Sequence, residues 1–348
     1  MTSLDAPDAV AADGPDTGVA WHFGSPSREQ KLLADGAAVV DLSHRGVVTV
    51  TGPDRLTWLD TLSTQWLRDL TPGVSAEALI LSPHGHVENA LHVVDDGQTL
   101  WLGVEPGAGE PLVAHLEKMR FLLRVEIADR SAQFATLALV RGGLADRVLT
   151  PSAAQFWDDP WPTTAPGGEA YNPVDDASHP GAERAWRELF ISRERLDEAM
   201  SAALDAGVSL AGTWASEALR VAALRPRFGV DTDHRTIPHE LDWLRTAVHL
   251  NKGCYRGQET VARVRNLGRP PRRIVLLHLD GSEHALPEAG APVMLGDRQV
   301  GRITSAVRHY EDGPLALAVV KSSVSQDETL TVGGIAAAQS GGVVAARR

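Results

Sequence analysis

Residues 250–273 read LNKGCYRGQETVARVRNLGRPPRR, and the rest of the chain divides around them. The stretch holds the only cysteine, Cys254, one of four lysines, Lys252, and the densest positive charge in a protein of net charge −12. Lys252, Arg256, Arg263, Arg265, Arg269, Arg272 and Arg273 stand there against the single acid Glu259. Gly253 and Gly257 let the backbone turn tightly around Cys254. A helix starting at Gly257 or Gln258 would set the thiol near that helix's positive end and two cations, both of which lower a thiol pKa. The competing reading is a small buried cysteine, although charged flanks are unlike a core environment. Pro270 and Pro271 then close the mixed helix-and-strand region.

After those prolines, residues 273–279, 292–295, 299–305, 315–321 and 329–332 form short strand-like runs broken by Gly, Pro and Asp, the pattern of a small β-barrel. Residues 336–348 look frayed. Before the prolines, residues 28–35, 53–66, 111–119, 193–205 and 213–223 have helical spacing, with Leu56, Leu59, Leu62 and Trp66 along an expected core face and Leu196, Met200 and Leu204 at i, i+4 and i+8. Strands are expected at 38–43 and 47–51, joined by a hairpin at 44–46. Others follow at 78–81, 87–94, 98–104, 122–127, 135–140 and 188–192. Residues 151–180 carry six prolines. The segment reads as a packed, loop-rich connection, because Trp157 and Trp161 need partners. Residues 1–20 read as a disordered acidic tail.

Composition is that of an ordinary globular protein, 43% apolar and 22% charged, with no apolar run of membrane-spanning length. A lone cysteine excludes an internal disulfide, a cysteine zinc tetrad and a self-contained iron-sulfur site. No export signal is visible, so a cytoplasmic location is expected. Net acidity argues against nucleic acid in general and leaves only the basic stretch for it.

Three groups of residues carry possible chemistry. Arg263 and Arg265 alternate with Val261 and Val264, so their guanidinium groups would be free to converge on an anionic ligand tail. An RNA contact and a solvated face are the alternatives. Glu240, in TIPHELDWL, is either an exposed surface acid or a two-oxygen acceptor for a heterocycle with adjacent N–H donors, such as a pterin. His84, His86 and His92 invite a metal reading, but no pattern of carboxylates or cysteines completes it, and no metal site is expected.

The run from Lys252 to Glu259, Lys252-Gly253-Cys254-Tyr255-Arg256-Gly257-Gln258-Glu259, matches K-G-C-Y-x-G-Q-E at all seven fixed positions. In this the chain resembles the YgfZ branch of the glycine-cleavage T-protein superfamily. The blocks DLSHRGVVTVTGPDRLTWLDTLST, LILSPHGHV and GDRQVGRITSAVRHYEDGPLALAVV are similar to that family too. The resemblance implies an α+β fold: a three-domain ring of antiparallel sheets and helices around a tetrahydrofolate pocket, with a C-terminal β-barrel. The division it implies is residues 21–270 for the folate-binding region, split near residue 131, and 271–335 for the barrel. T-protein relies on aspartate in a G-x-x-x-D-D-L block. Here that block is Gly85, His86, Val87, Glu88, Asn89, Ala90, Leu91. Both acid positions, Asn89 and Ala90, are non-acidic, and Glu88 one residue earlier would point to the opposite face of a strand. Glu240 matches the family's pterin-holding position. The resemblance thus implies a tetrahydrofolate-binding accessory protein for iron-sulfur protein assembly or repair, meeting its clients through Cys254. A folate-dependent aminomethyl transferase is the alternative.

Overall fold

A computed structural model describes residues 3–172, 174–281 and 285–343. The chain separates into two compact units that interleave along the sequence. One comprises Met1–Ile80, Asn89–Pro160 and Ala185–Ser216; the other comprises Leu81–Glu88, Trp161–Arg184 and Glu217–Arg348. The chain thus leaves and re-enters each unit.

The first unit holds two five-stranded sheets. In one, the strands run in the order Ser75–Leu81, Val87–Asp95, Thr99–Val104, Gly46–Thr51, Glu126–Asp129. Its apolar face carries Val48, Val50, Leu91, Val93, Leu100 and Leu102, which pack with Trp58 and Leu59 of the helix Arg55–Leu62 and with Leu112 and Leu116 of the helix Gly109–Met119. In the other, the order is Gln155–Asp158, Trp186–Ser192, Phe134–Val140, Ala38–Asp41, Ser209–Ala211, the last pair parallel.

Several expectations change. Ala38–Asp41 and Gly46–Thr51 belong to different sheets, so residues 44–46 form a crossing between sheets and not a hairpin. Each strand finds its partners far away in sequence. Residues 122–123 are not strand: Leu122 is 99% exposed on a turn and the strand starts at Glu126. The supposed disordered tail is ordered from residue 3, since Val10–Ala11 pairs antiparallel with Ala20–His22 and the Trp21 ring meets Trp214 at 5.4 Å; residues 1 and 2 lie outside the described part. On the helix Arg193–Asp205 the residues fully packed on the sheet are Ala199 and Ala203, while Leu204 is exposed. The proline-rich connection packs as expected. Trp157 is buried and its Nε1 donates to the Ala76 carbonyl at 2.7 Å, and Trp161 is buried with Nε1 donating to the Ala223 carbonyl at 3.0 Å.

The second unit contains a closed six-stranded barrel, Arg272–Leu279, Gly313–Lys321, Arg298–His309, Pro292–Leu295, Leu330–Val332 and Ile335–Gly342, each strand bonded to the next. Val275, Leu277, Val293, Ile303, Ala316, Ala318 and Val320 fill it. The sixth strand corrects the expectation of a tail fraying from residue 336; residues 344–348 lie outside the described part. Closure depends on Gly342, where a Cβ would come within 2.7 Å of the Ile274 carbonyl oxygen.

Two histidines in this unit are buried neutral. Burial, assisted at His179 by the Arg245 charge, pushes both His179 and His239 down from the ordinary 6.5 to about 4. Between those values the unfolded chain binds protons that the folded chain does not, so these rings stabilise the fold above pH 6.5 and lose that contribution as pH falls toward 4. Urea unfolding at pH 7 and pH 5 should therefore differ by about 2 kcal/mol per ring. His239→Phe should remove one ring's share of that difference and leave that of His179, and an unchanged pH slope would remove His239 from it.

Candidate functional site

The motif stretch is built against the turn that precedes the strand Val87–Asp95. In that turn the Ser82 hydroxyl accepts from the backbone N–H of His84 at 3.2 Å and of His86 at 3.1 Å. Gly85 takes φ +79°, where a Cβ would lie 2.6 Å from the Thr260 Cβ. Facing it, Gly257 takes φ +83° as the N-cap of the helix Gln258–Leu267, and a Cβ there would lie 2.6 Å from the Ser82 carbonyl oxygen. Two glycines in left-handed backbone thus let turn and helix start touch. Gly257→Ala should cost about 1–3 kcal/mol from strain and collision. It should also loosen the motif stretch, seen as faster amide exchange over residues 252–258; wild-type protection there would contradict this.

Within the loop, Lys252 and Tyr255 are buried, with Nζ 5.7 Å from the centre of the Tyr255 ring. Burial raises the Tyr255 phenol above its ordinary value. The Gln258 side-chain amide donates to the Lys252 carbonyl at 3.4 Å, closing the loop on itself. Arg256 meets Glu88 at 3.4 Å, both partly exposed. Gly253, Cys254 and Glu259 are exposed. The result is a thiol presented to solvent from a loop whose two flanking aromatic and cationic side chains are packed beneath it.

The arginines are arranged differently from expectation. Arg263 and Arg265 lie on the helix Gln258–Leu267, where residues two apart point about 200° away from each other. Arg263 and Arg265 therefore do not converge. Arg265 is held by Glu169, its Nε donating at 2.6 Å, whereas Arg263 is exposed.

Glu240 is not a surface acid. It is 1% exposed, in the short 3-10 helix Pro238–Leu241. Arg272, the first residue of the barrel, grips it at two points, Nε to Oε1 at 2.9 Å and Nη2 to Oε2 at 2.8 Å. The same guanidinium grips Asp233, through Nη1 at 2.6 Å and Nη2 at 3.1 Å. Burial pushes the Glu240 carboxyl up, with Arg272 opposing, while the hydrogen bonds from Arg272 hold Asp233 well below the usual carboxylate range. Sequence reading counted Arg272 only as part of a charge run and passed over Asp233 and the reach of Glu88 to Arg256. Their partners are distant in sequence, and no local signal marks them.

His92 is committed elsewhere, stacked on Trp157 at 3.7 Å and bonded to Glu188 at 2.8 Å. Among the described residues, no group of three or more His, Cys, Asp or Glu is placed to hold a metal ion. No helix among them is long and apolar enough to cross a membrane.

Comparison with known proteins agrees with this architecture. The GCVT N-terminal domain family matches residues 9–160, and the glycine cleavage T-protein C-terminal barrel domain family matches residues 272–340. A putative chloroplastic transferase of Arabidopsis thaliana is 26% identical over 94% of this chain and 76% of its own length. An aminomethyltransferase of Rubrobacter xylanophilus is 28% identical over 80% of this chain and 74% of its own. Among solved structures, the glycine cleavage system aminomethyltransferase T of Bartonella henselae superposes with a TM-score of 0.78 at 18% identity, covering 98% of this chain and 94% of that one. At that identity the likeness speaks for the fold.

Proposed function

We propose that this chain, a member of the glycine cleavage T-protein superfamily, is a cytoplasmic tetrahydrofolate-binding accessory protein of the YgfZ type, serving the assembly or repair of iron-sulfur proteins. The observation that carries this reading is Cys254, exposed on a loop held down by Lys252, Tyr255, Gly257 and Gln258, in a chain with Asn89 and Ala90 where its transferase relatives' pattern calls for aspartate. A thiolate sulfur is a soft ligand for iron, so one exposed cysteine can supply one ligand to a cluster whose remaining ligands come from a client protein.

Tetrahydrofolate, when bound, supplies a carrier for a one-carbon unit. The residues present fit its head group. Oε2 of Glu240 accepts from Arg272 and from the Ile237 backbone N–H, while Oε1 accepts from Arg272 Nε and keeps further acceptor capacity whose direction the two-point grip of Arg272 fixes. Arg263 or Arg269, both exposed, is left to meet the anionic tail, since Arg265 is paired with Glu169.

Cys254→Ala should lower the activity of iron-sulfur enzymes in cells while leaving tetrahydrofolate affinity, read by calorimetry, unchanged. Full iron-sulfur activity in that variant would overturn the role of the thiol. The second reading, a folate-dependent aminomethyl transferase, is favoured by the names of the relatives, several of them aminomethyltransferases. Product formed from an aminomethylated lipoyl carrier would decide for it.

A further inference from the structure

The first unit contains a pocket of about 260 Å³ between the helix Arg193–Asp205 and the sheet edge formed by Ala38–Asp41 and Ser209–Ala211. Leu196, Met200 and Leu204 form its helix wall, Leu210 and Leu137 its floor, and Phe23 with the segment around Ala6 its roof. Ala199 and Ala203 are fully buried against the sheet, and Leu196 and Met200, half-buried against the same core, also line this space together with the exposed Leu204.

The wall is apolar but for two residues, Ser3 and Asp41. Among the described residues Asp41 is the only charged group lining it, and its partners there are neutral. Oδ1 accepts from the backbone N–H of Ser43 at 2.9 Å and from the Ser43 hydroxyl, and Oδ2 accepts from the backbone N–H of Ser3 at 3.3 Å. The guanidinium of Arg193, on the same helix, donates instead to the carbonyls of Ser43 and Ser131. A carboxylate without a cation, set in the wall of an apolar pocket, favours a ligand that brings the cation with it and disfavours one that is anionic.

We infer that this pocket binds a compact apolar amine, with the hydrocarbon or aromatic part between Leu196, Met200, Leu210 and Phe23 and the ammonium on Asp41. Size fixes the class further. A cavity of about 150 Å³ takes benzene, so this one takes a phenyl ring with a short alkylamine chain and excludes anything as large as a folate. The inference is independent of the folate reading, since every lining residue lies in the first unit.

Calorimetry on the full chain with 3-phenylpropylamine, 3-phenylpropanol and 3-phenylpropanoate tests it. The amine should bind one to one, at least about tenfold tighter than the alcohol, as a hydrogen bond to a charged group provides, with the carboxylate weakest. Asp41→Asn should bring amine and alcohol to the same affinity, and Met200→Trp, which fills the pocket from the helix side, should abolish binding of both. Alcohol binding as tight as amine, no saturable amine binding by the folded wild-type chain, or amine binding undiminished in folded Met200→Trp would each overturn the inference. The three-ligand comparison on the wild-type chain stands even if a variant fails to fold.

Discussion

Asp231→Ala should destabilise the protein by about 3–5 kcal/mol, the cost of removing one partner from a buried ion pair. Asp231 is fully buried and both its oxygens are saturated. Oδ2 accepts from Arg220 Nη1 at 2.7 Å and from the Arg227 backbone N–H at 2.9 Å; Oδ1 accepts from the hydroxyls of Thr304 at 2.5 Å and Ser305 at 2.8 Å. Through these bonds a single carboxylate ties the helix Thr213–Ala222 and the irregular segment after it to the middle of the barrel strand Arg298–His309. Without it Arg220 keeps Glu217, at 2.8 Å from Nη2, but a cation, an amide and two hydroxyls lose a shared acceptor in a place water does not reach. Asp231→Asn should cost nearly as much, because an amide offers one acceptor oxygen where two are used and turns donors toward Arg220. Urea unfolding of the variant provides the number; a loss under about 1 kcal/mol would mean that water or a neighbour replaces the carboxylate.

How much of this was legible in the sequence depends on whether the signal was local. The helices Arg193–Asp205 and Gly109–Met119 and the first barrel strands announce themselves through spacing and through Gly and Pro at their ends. The last barrel strand does not, because IAAAQSGG has almost none of the branched or aromatic residues that mark strands; it is chosen for smallness, and Gly342 lies where a side chain would strike Ile274. The misassigned hairpin has the same origin. Nothing near residue 44 says that Ala38–Asp41 will pair with Phe134–Val140 and Ser209–Ala211. For the site, the motif made Cys254 and the helix start at Gln258 readable, since glycine at a helix N-cap and a polar loop are local facts. Which cation meets which acid was not. Glu88 finds Arg256 and Glu240 finds Arg272 only after the chain has folded.

Glu240→Ala should weaken tetrahydrofolate binding by about 10- to 100-fold, the worth of hydrogen bonds from a ligand to a charged acceptor. The size of the effect follows from how the carboxylate is held. Burial alone would drive this carboxyl toward its neutral form, and a neutral acid accepts less well from a ring N–H. Two parallel hydrogen bonds from Arg272 keep the charged form available. The Ile237 backbone N–H, 3.4 Å from Oε2, adds a third donor. The same geometry makes the variant interpretable. Arg272 retains its two-point contact with Asp233 when Glu240 is gone, so the guanidinium stays paired and the fold should survive, with a Tm near that of the wild type. Glu240→Gln separates charge from shape: one acceptor oxygen remains, while the amide group turns N–H donors toward Arg272. It should bind folate more weakly than wild type and more tightly than the alanine variant. Calorimetry on samples shown to be folded distinguishes the outcomes. Equal affinity in wild type and Glu240→Ala would take the pterin away from Glu240, and no binding by the wild-type chain would remove folate from the proposed function while leaving the exposed thiol of Cys254 to be explained by protein partners alone.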